Sequence, residues 1–286
     1  MRSVPFVVTM LLAARLVSAG PASGTVKSAT GTIAPKFATA YVVRDSHNPH
    51  QNVVELLLSD VAVDPGSLRD DLDRHVTAIN LEPLRDRNYV LLWVNADGSV
   101  TMNATYSKTM TQYINDSSGG LKADLTTNTT SKVEGHLYAP APLKTMDGST
   151  YTVDVKFSAD VIPPLTGTAL PAGGGDPGKA LTAFLGAITK KNWTGIKAGL
   201  SPKALPMFEH SYDSPAENLS SAVDILNARI TIAKAKVTGG TQLSPTVAVL
   251  DLEGERFGTP WLSMVKMVKT GTAWQYEESV PVGMLR

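Results

Sequence analysis

The chain has 286 residues, of which 43% are hydrophobic and 18% charged, with 26 basic and 26 acidic side chains and no cysteine. That length suffices for one large or two moderate hydrophobic cores. Balanced charge argues against nucleic acid or an anionic membrane as partner, and the lack of cysteine removes disulfides, thiol nucleophiles and cysteine-held zinc.

Residues 1–19 read as a signal peptide: Arg2 supplies the positive start, 4–14 is an apolar run, and Val17-Ser18-Ala19 offers the small residues a signal peptidase reads. Arg15 ends that run short of the roughly 18 residues of a membrane span. Losing Arg2 and Arg15 with the leader tips the remainder slightly acidic. The expected product is secreted or periplasmic and soluble, and must rely on hydrophobic cores.

From 20 to 165 short β-rich runs alternate with turn residues, which predicts an all-β sandwich of immunoglobulin-like type. "KFATAYVVRD" and "NVVELLLSD" open the series. Asp97-Gly98 and Asp147-Gly148 each sit between apolar runs, a hairpin signal. In the last strand Tyr151, Val153, Val155 and Phe157 share one face, while Thr152, Asp154 and Lys156 share the other. "DPGSLRDDLDRHVTAI" interrupts the strands with Leu68, Leu72 and His75 or Val76 at helical spacing, and Pro65 suits a helix start.

Three clusters in this half could carry chemistry. His47 and His50 could join Asp45 around a metal, but Pro49 lies between them and spacing fixes no further ligand. Asp70, Asp71 and Asp73 resemble a calcium cluster without the loop spacing that calcium requires, and Arg69 and Arg74 flank them, so a solvated helix face is expected. Glu134 and His136 fall on one strand face and read as a surface pair.

Residues 166–178 read as a Gly/Pro linker. Gly173 to Lys179 has the G-x-x-x-x-G-K spacing of a phosphate loop, but Ala180 stands where the magnesium-binding hydroxyl belongs and Pro177 lacks an amide hydrogen. The expectation is a flexible glycine hinge, with Asp176 capping a helix and Pro177 at its first position. Leu181, Phe184, Leu185 and Ile188 then recur at i, i+3, i+4 and i+7, one apolar helix face.

Residues 179–286 place helices first, including "SPAENLSSAVDILNAR", then four strand candidates separated by turn glycines, an α+β pattern. The opening 177–193, P-x-x-A-x-x-x-F-L-x-A-I-x-x-x-x-W, and the closing 265–275, V-K-M-V-K-T-G-x-x-W-Q, resemble secreted domains of the nuclear-transport-factor-two-like family. The resemblance implies helices packed on a curved antiparallel sheet as a cone, and transfers no functional residue.

Within such a cone Trp193, Phe208, His210, Tyr212, Trp261 and Trp274 are the candidate ligand-binding residues, since aromatics around a few polar groups build small-molecule sites. Aromatics equally fill cores. Neither cofactor nor metal is expected. The function expected is non-catalytic binding or scaffolding in a bacterial envelope, toward a small apolar or mixed ligand or an envelope protein. A hydrolase or isomerase using His210, and an inhibitor or chaperone-like module offering a sheet edge, are the alternatives.

Overall fold

A computed structural model describes residues 18–116, 120–144, 148–209, 220, 223–226 and 233–285. Residues 1–17 of the expected leader, Asp147 and most of the 214–229 helix lie outside the described residues; 223–226 are helical.

The first half contributes β1 (Gly20–Ser28), β2 (Gly31–Ile33), β3 (Phe37–Arg44) and β4 (Asn52–Ser59). Two short helices follow, α1 (Gly66–Arg69) and α2 (Arg74–Asn80), then a 3-10 turn at Glu82–Leu84. The remaining strands are β5 (Tyr89–Val94), β6 (Val100–Tyr106), β7 (Thr111–Asp116), β8 (Lys122–Asn128), β9 (Lys132–Tyr138), β10 (Leu143–Lys144) and β11 (Thr150–Ile162). Hydrogen bonding links them into one eleven-stranded sheet along β7-β6-β5-β4-β3-β1-β11-β9-β8, with β2 on β1 and β10 on β11. The sheet curls because β11 changes partners. It runs antiparallel to β1 and β9, then its end at Val161 and Ile162 lies parallel to Ala40 and Tyr41 of β3.

Alternation in β11 follows the sequence pattern: Tyr151, Val153, Val155 and Phe157 are buried and Thr152, Asp154 and Lys156 exposed. Their inward face joins Leu56, Leu58, Leu92 and Met102 in the main core. β4 behaves otherwise, being buried on both faces from Val53 to Ser59. The helical insertion explains why. Leu68, Ala78 and Leu84 pack on Tyr41, Leu57 and Leu91, covering the outer face of β3, β4 and β5, so this stretch reads as a continuous apolar run.

The second sheet has the order β12 (Thr168–Leu170), β13 (Ala233–Ser244), β14 (Val247–Arg256), β15 (Thr259–Thr270) and β16 (Ala273–Met284), all antiparallel. On one face lie α3 (Gly175–Thr189), α4 (Trp193–Gly199) and α5 (Leu205–Glu209). Leu181, Phe184, Leu185 and Ile188 meet Val237, Leu250, Leu252, Val265, Met267 and Tyr276 there. Each such Leu or Phe contributes about 1.5–3 kcal/mol by leaving water. Asn192 caps α4, its side chain accepting from the Gly195 amide at 3.1 Å.

The glycine-rich stretch differs from the expected hinge. β12 lies inside it and pairs with β13. Gly173, Gly174 and Gly175 then run through three consecutive left-handed conformations, φ 84, 69 and 61, which glycine alone enters without steric cost. A Cβ on Gly174 would stand 2.8 Å from Leu250 and 2.9 Å from Val237, so the turn is packed rather than loose. Gly174 is the N-cap. Asp176 instead pairs with Lys179 at 2.9 Å, and Pro177 sits third in the helix, where an amide hydrogen would still lack an intrahelical acceptor. The amides of Gly173, Gly174 and Gly178 are spent on the Val237, Pro171 and Gly174 carbonyls. No phosphate cradle remains.

Candidate functional site

Strand parity places the site. In the first sheet Tyr41, Glu55, Trp93 and Thr101 stand in register across β3, β4, β5 and β6, on the face that carries α1 and α2. In the second sheet Asp251, Met264 and Val280 are in register across β14, β15 and β16. They alternate with Leu250, Leu252 and Val265 of the core, and so face away from the helices. Between these two faces is a cavity of about 880 Å³, lined by Val43, Val53, Glu55, Trp93, Leu72 to Val76, Leu165, Val249, Asp251, Met264 and Val280 to Val282. That size falls within the range of small-molecule sites.

One wall carries a hydrogen-bonded chain. Glu55 is 1% exposed; its Oε1 accepts from the Tyr41 hydroxyl at 2.6 Å. His75 places Nδ1 2.8 Å from Oε1 and 3.0 Å from Oε2. A buried carboxylate demands such partners, because desolvation otherwise costs several kcal/mol. A ring nitrogen facing a carboxylate carries the proton, which leaves Nε2 as the free edge of a ring whose side chain is 40% exposed. Trp93 lies beside it, ring centres 6.2 Å apart. The hydrogen bond to Glu55 raises the His75 pKa against the opposing effect of burial. Burial first, then the Glu55 charge, pushes the Tyr41 phenol well above its ordinary value, and burial also raises the Asp73 carboxyl.

Arg74 is 4% exposed. Its guanidinium donates to the carbonyls of Val42 (3.1 Å), Pro163 (2.7 Å) and Arg69 (2.7 Å), and Nε has no partner. Burial lowers its pKa, with Asp71 and Asp70 opposing. Asp73 caps α2 by accepting from the Val76 amide, and Asp71 accepts from the Asp73 amide and the Thr77 hydroxyl. Asp71 and Asp73 therefore brace the helical insertion, while Asp70 stays exposed.

The loop after β3 closes the cavity at one side. Arg44 pairs with Asp251 at 3.6 Å and His50 with Glu253 at 3.7 Å. The Ser46 carbonyl lies so close to Gly283 that a Cβ there would stand 2.1 Å from it. His47 turns instead to Asp45, at 3.6 Å. The two imidazoles considered for a metal thus serve different carboxylates. Glu134 and His136 are surface groups, paired with Lys132 at 2.6 Å and Asp154 at 2.8 Å.

Of the aromatics expected to line a pocket, Phe208 is 1% exposed in the core beneath the helices, and Trp193 and Trp274 pack against the same cluster. Trp261 lies on β15 under the Arg256 guanidinium, 5.5 Å from its ring centre. His210 and Tyr212 lie outside the described residues. None of the four described aromatics lines the large cavity. Sequence reasoning took His75 as a helix-face residue, placed Arg74 on a solvated helix face where the structure buries it, and passed over Tyr41, Glu55 and Trp93. The available signal was Glu55 itself, a carboxylate inside the apolar run "NVVELLLS".

No family model and no curated protein matches this chain. Among solved structures it is similar to an Ntf2-like protein involved in plasmid conjugation, at 12% identity and TM-score 0.22, over 88% of this chain and 79% of that one. A likeness that weak carries no argument about function. Among the described residues no helix is long and apolar enough to cross a membrane.

Proposed function

We propose that this chain is an exported, non-catalytic binding protein of a bacterial envelope, and that its ligand sits between the two sheets. In this reading residues 20–165 form an immunoglobulin-like sandwich and 179–286 a nuclear-transport-factor-two-like cone, each with its own core. The observation that carries the proposal is the cavity of about 880 Å³, whose walls come from both sheets and from the α1–α2 insertion. Apolar side chains such as Val53, Trp93, Val249 and Met264 share the lining with charged and polar groups, among them Glu55, His75 and Asp251, a mixed wall that suits a ligand with both apolar and polar parts.

The test is thermal-shift screening of the purified chain against a metabolite library, run beside Val280→Trp, which fills the cavity from β16. A ligand held at about 100 times its Kd stabilises by about 2.7 kcal/mol. Such a compound is expected to raise the Tm of the parent and leave Val280→Trp unmoved. A library with no hits, or hits that ignore Val280→Trp, refutes the assignment.

A further inference from the structure

The charges on the cavity wall do not balance. Its carboxylates are Asp45, Glu55, Asp71, Asp73 and Asp251, against the guanidinium groups of Arg44 and Arg74. Asp251 meets Arg44 at 3.6 Å, Glu55 meets His75 at 2.8 Å and Asp45 meets His47 at 3.6 Å. Arg74 is spoken for as well. Its guanidinium donates to backbone carbonyls, and Asp71 and Asp70 act on its charge. Asp73 is the carboxylate left over. Its Oδ1 accepts from the Val76 amide at 3.1 Å, and among the described residues no group donates to its Oδ2. Burial raises the Asp73 pKa against the Val76 amide and His75, while Asp71 and Glu55 crowd it with like charge.

A partly buried carboxylate among others of its own sign is an arrangement that a cation completes. Trp93 lines the same cavity, and an indole ring attracts an ammonium group through its quadrupole, independently of any carboxylate. Hydrocarbon contacts come from Val53 in the first sheet and from Val249, Met264 and Val280 in the second. We propose that the cavity receives an amphipathic amine, its protonated nitrogen against Asp73 and its apolar body between the sheets. The proposal rests on the cavity being the binding site. Asp73 makes the direct contact, while the surplus of carboxylates around it disfavours an anionic head in the same place.

Isothermal titration at pH 7.5 tests this with two sets of probes that share an apolar body and differ in the head. One set is decylamine, decan-1-ol and decanoate; the other is 2-(1-naphthyl)ethylamine, 2-(1-naphthyl)ethanol and 1-naphthylacetate. The amine of each set is expected to bind at least about tenfold tighter than its alcohol, equivalent to about 1.4 kcal/mol, and the acid more weakly than either. Asp73→Asn keeps an oxygen to cap α2 and removes the charge. It should shrink the amine preference below about threefold with alcohol affinity unchanged. Asp160→Asn, at an exposed position of β11 outside the cavity lining, should leave the preference intact.

Equal binding of amine and alcohol by the parent, tighter binding of the acid, or binding of no probe overturns the head-group assignment. So does an amine preference that survives Asp73→Asn or that Asp160→Asn removes equally. The cavity reading stands or falls separately, on the library screen and Val280→Trp. Should Asp73→Asn not fold, Asp73→Ser offers α2 another capping oxygen and carries the same expectation. The ranking of the three heads by the parent holds or fails without either variant.

Discussion

Glu55 sits mid-strand among valines and leucines, and the carboxylate survives burial because a phenol and an imidazole reach it together. Removing one donor should therefore cost more than an average hydrogen bond. Tyr41→Phe is expected to destabilise the chain by about 1.5–3 kcal/mol, the range for bonds to charged groups, readable as a lower urea midpoint at unchanged slope. His75 adds a pH signature whose sign is fixed. Its folded pKa lies above the unfolded value near 6.5, so its stabilisation is complete below that value and is lost as pH rises through the folded pKa. Unfolding free energy measured from pH 5.5 to 9 should fall across that window, and His75→Gln should flatten this component.

At the scale of elements, what was legible in the sequence was periodicity. The alternation of β11 and the Leu181-Phe184-Leu185-Ile188 face of α3 were written in residue spacing, and both elements bury those positions. The two-faced burial of β4 was not, because it depends on a helical insertion folding back across the strands from a distance in sequence. The site was hidden for the same reason: Tyr41, Glu55, Arg74 and Trp93 meet only through strand register and the docking of α2. The glycine stretch misled in another way, since flexibility and tight packing call for the same residue. Gly178 shows the distinction. A Cβ there would stand 1.8 Å from the Gly173 carbonyl oxygen, so Gly178→Ala should lower stability by about 2 kcal/mol or more, well above the effect of a helix-favouring surface change. Denaturant unfolding beside Gly186→Ala, whose Cβ would meet nothing within 4 Å, provides the control.

For the whole molecule, the seating of one sheet against the other depends on a few contacts at the loop between β3 and β4. The Arg44–Asp251 pair is partly solvated, so a double-mutant cycle should assign it less than about 1 kcal/mol. Backbone proximity matters more. Gly283→Val cannot be placed without moving the Ser46 carbonyl, and is expected to widen the mouth of the cavity. Amide hydrogen exchange should then quicken in both residues 45–51 and the end of β16 while α3 keeps its protection.

Arg74 has a practical consequence for anyone cutting this chain in two. Its guanidinium reaches Val42 in β3, Arg69 in α1 and Pro163 just past β11. A fragment that stops at residue 162 discards one of three acceptors and strands a charge indoors, whereas one that runs through Pro163 retains the full set. The safe scissor point for recombinant halves therefore lies after the first proline of "PPLTG", not before it.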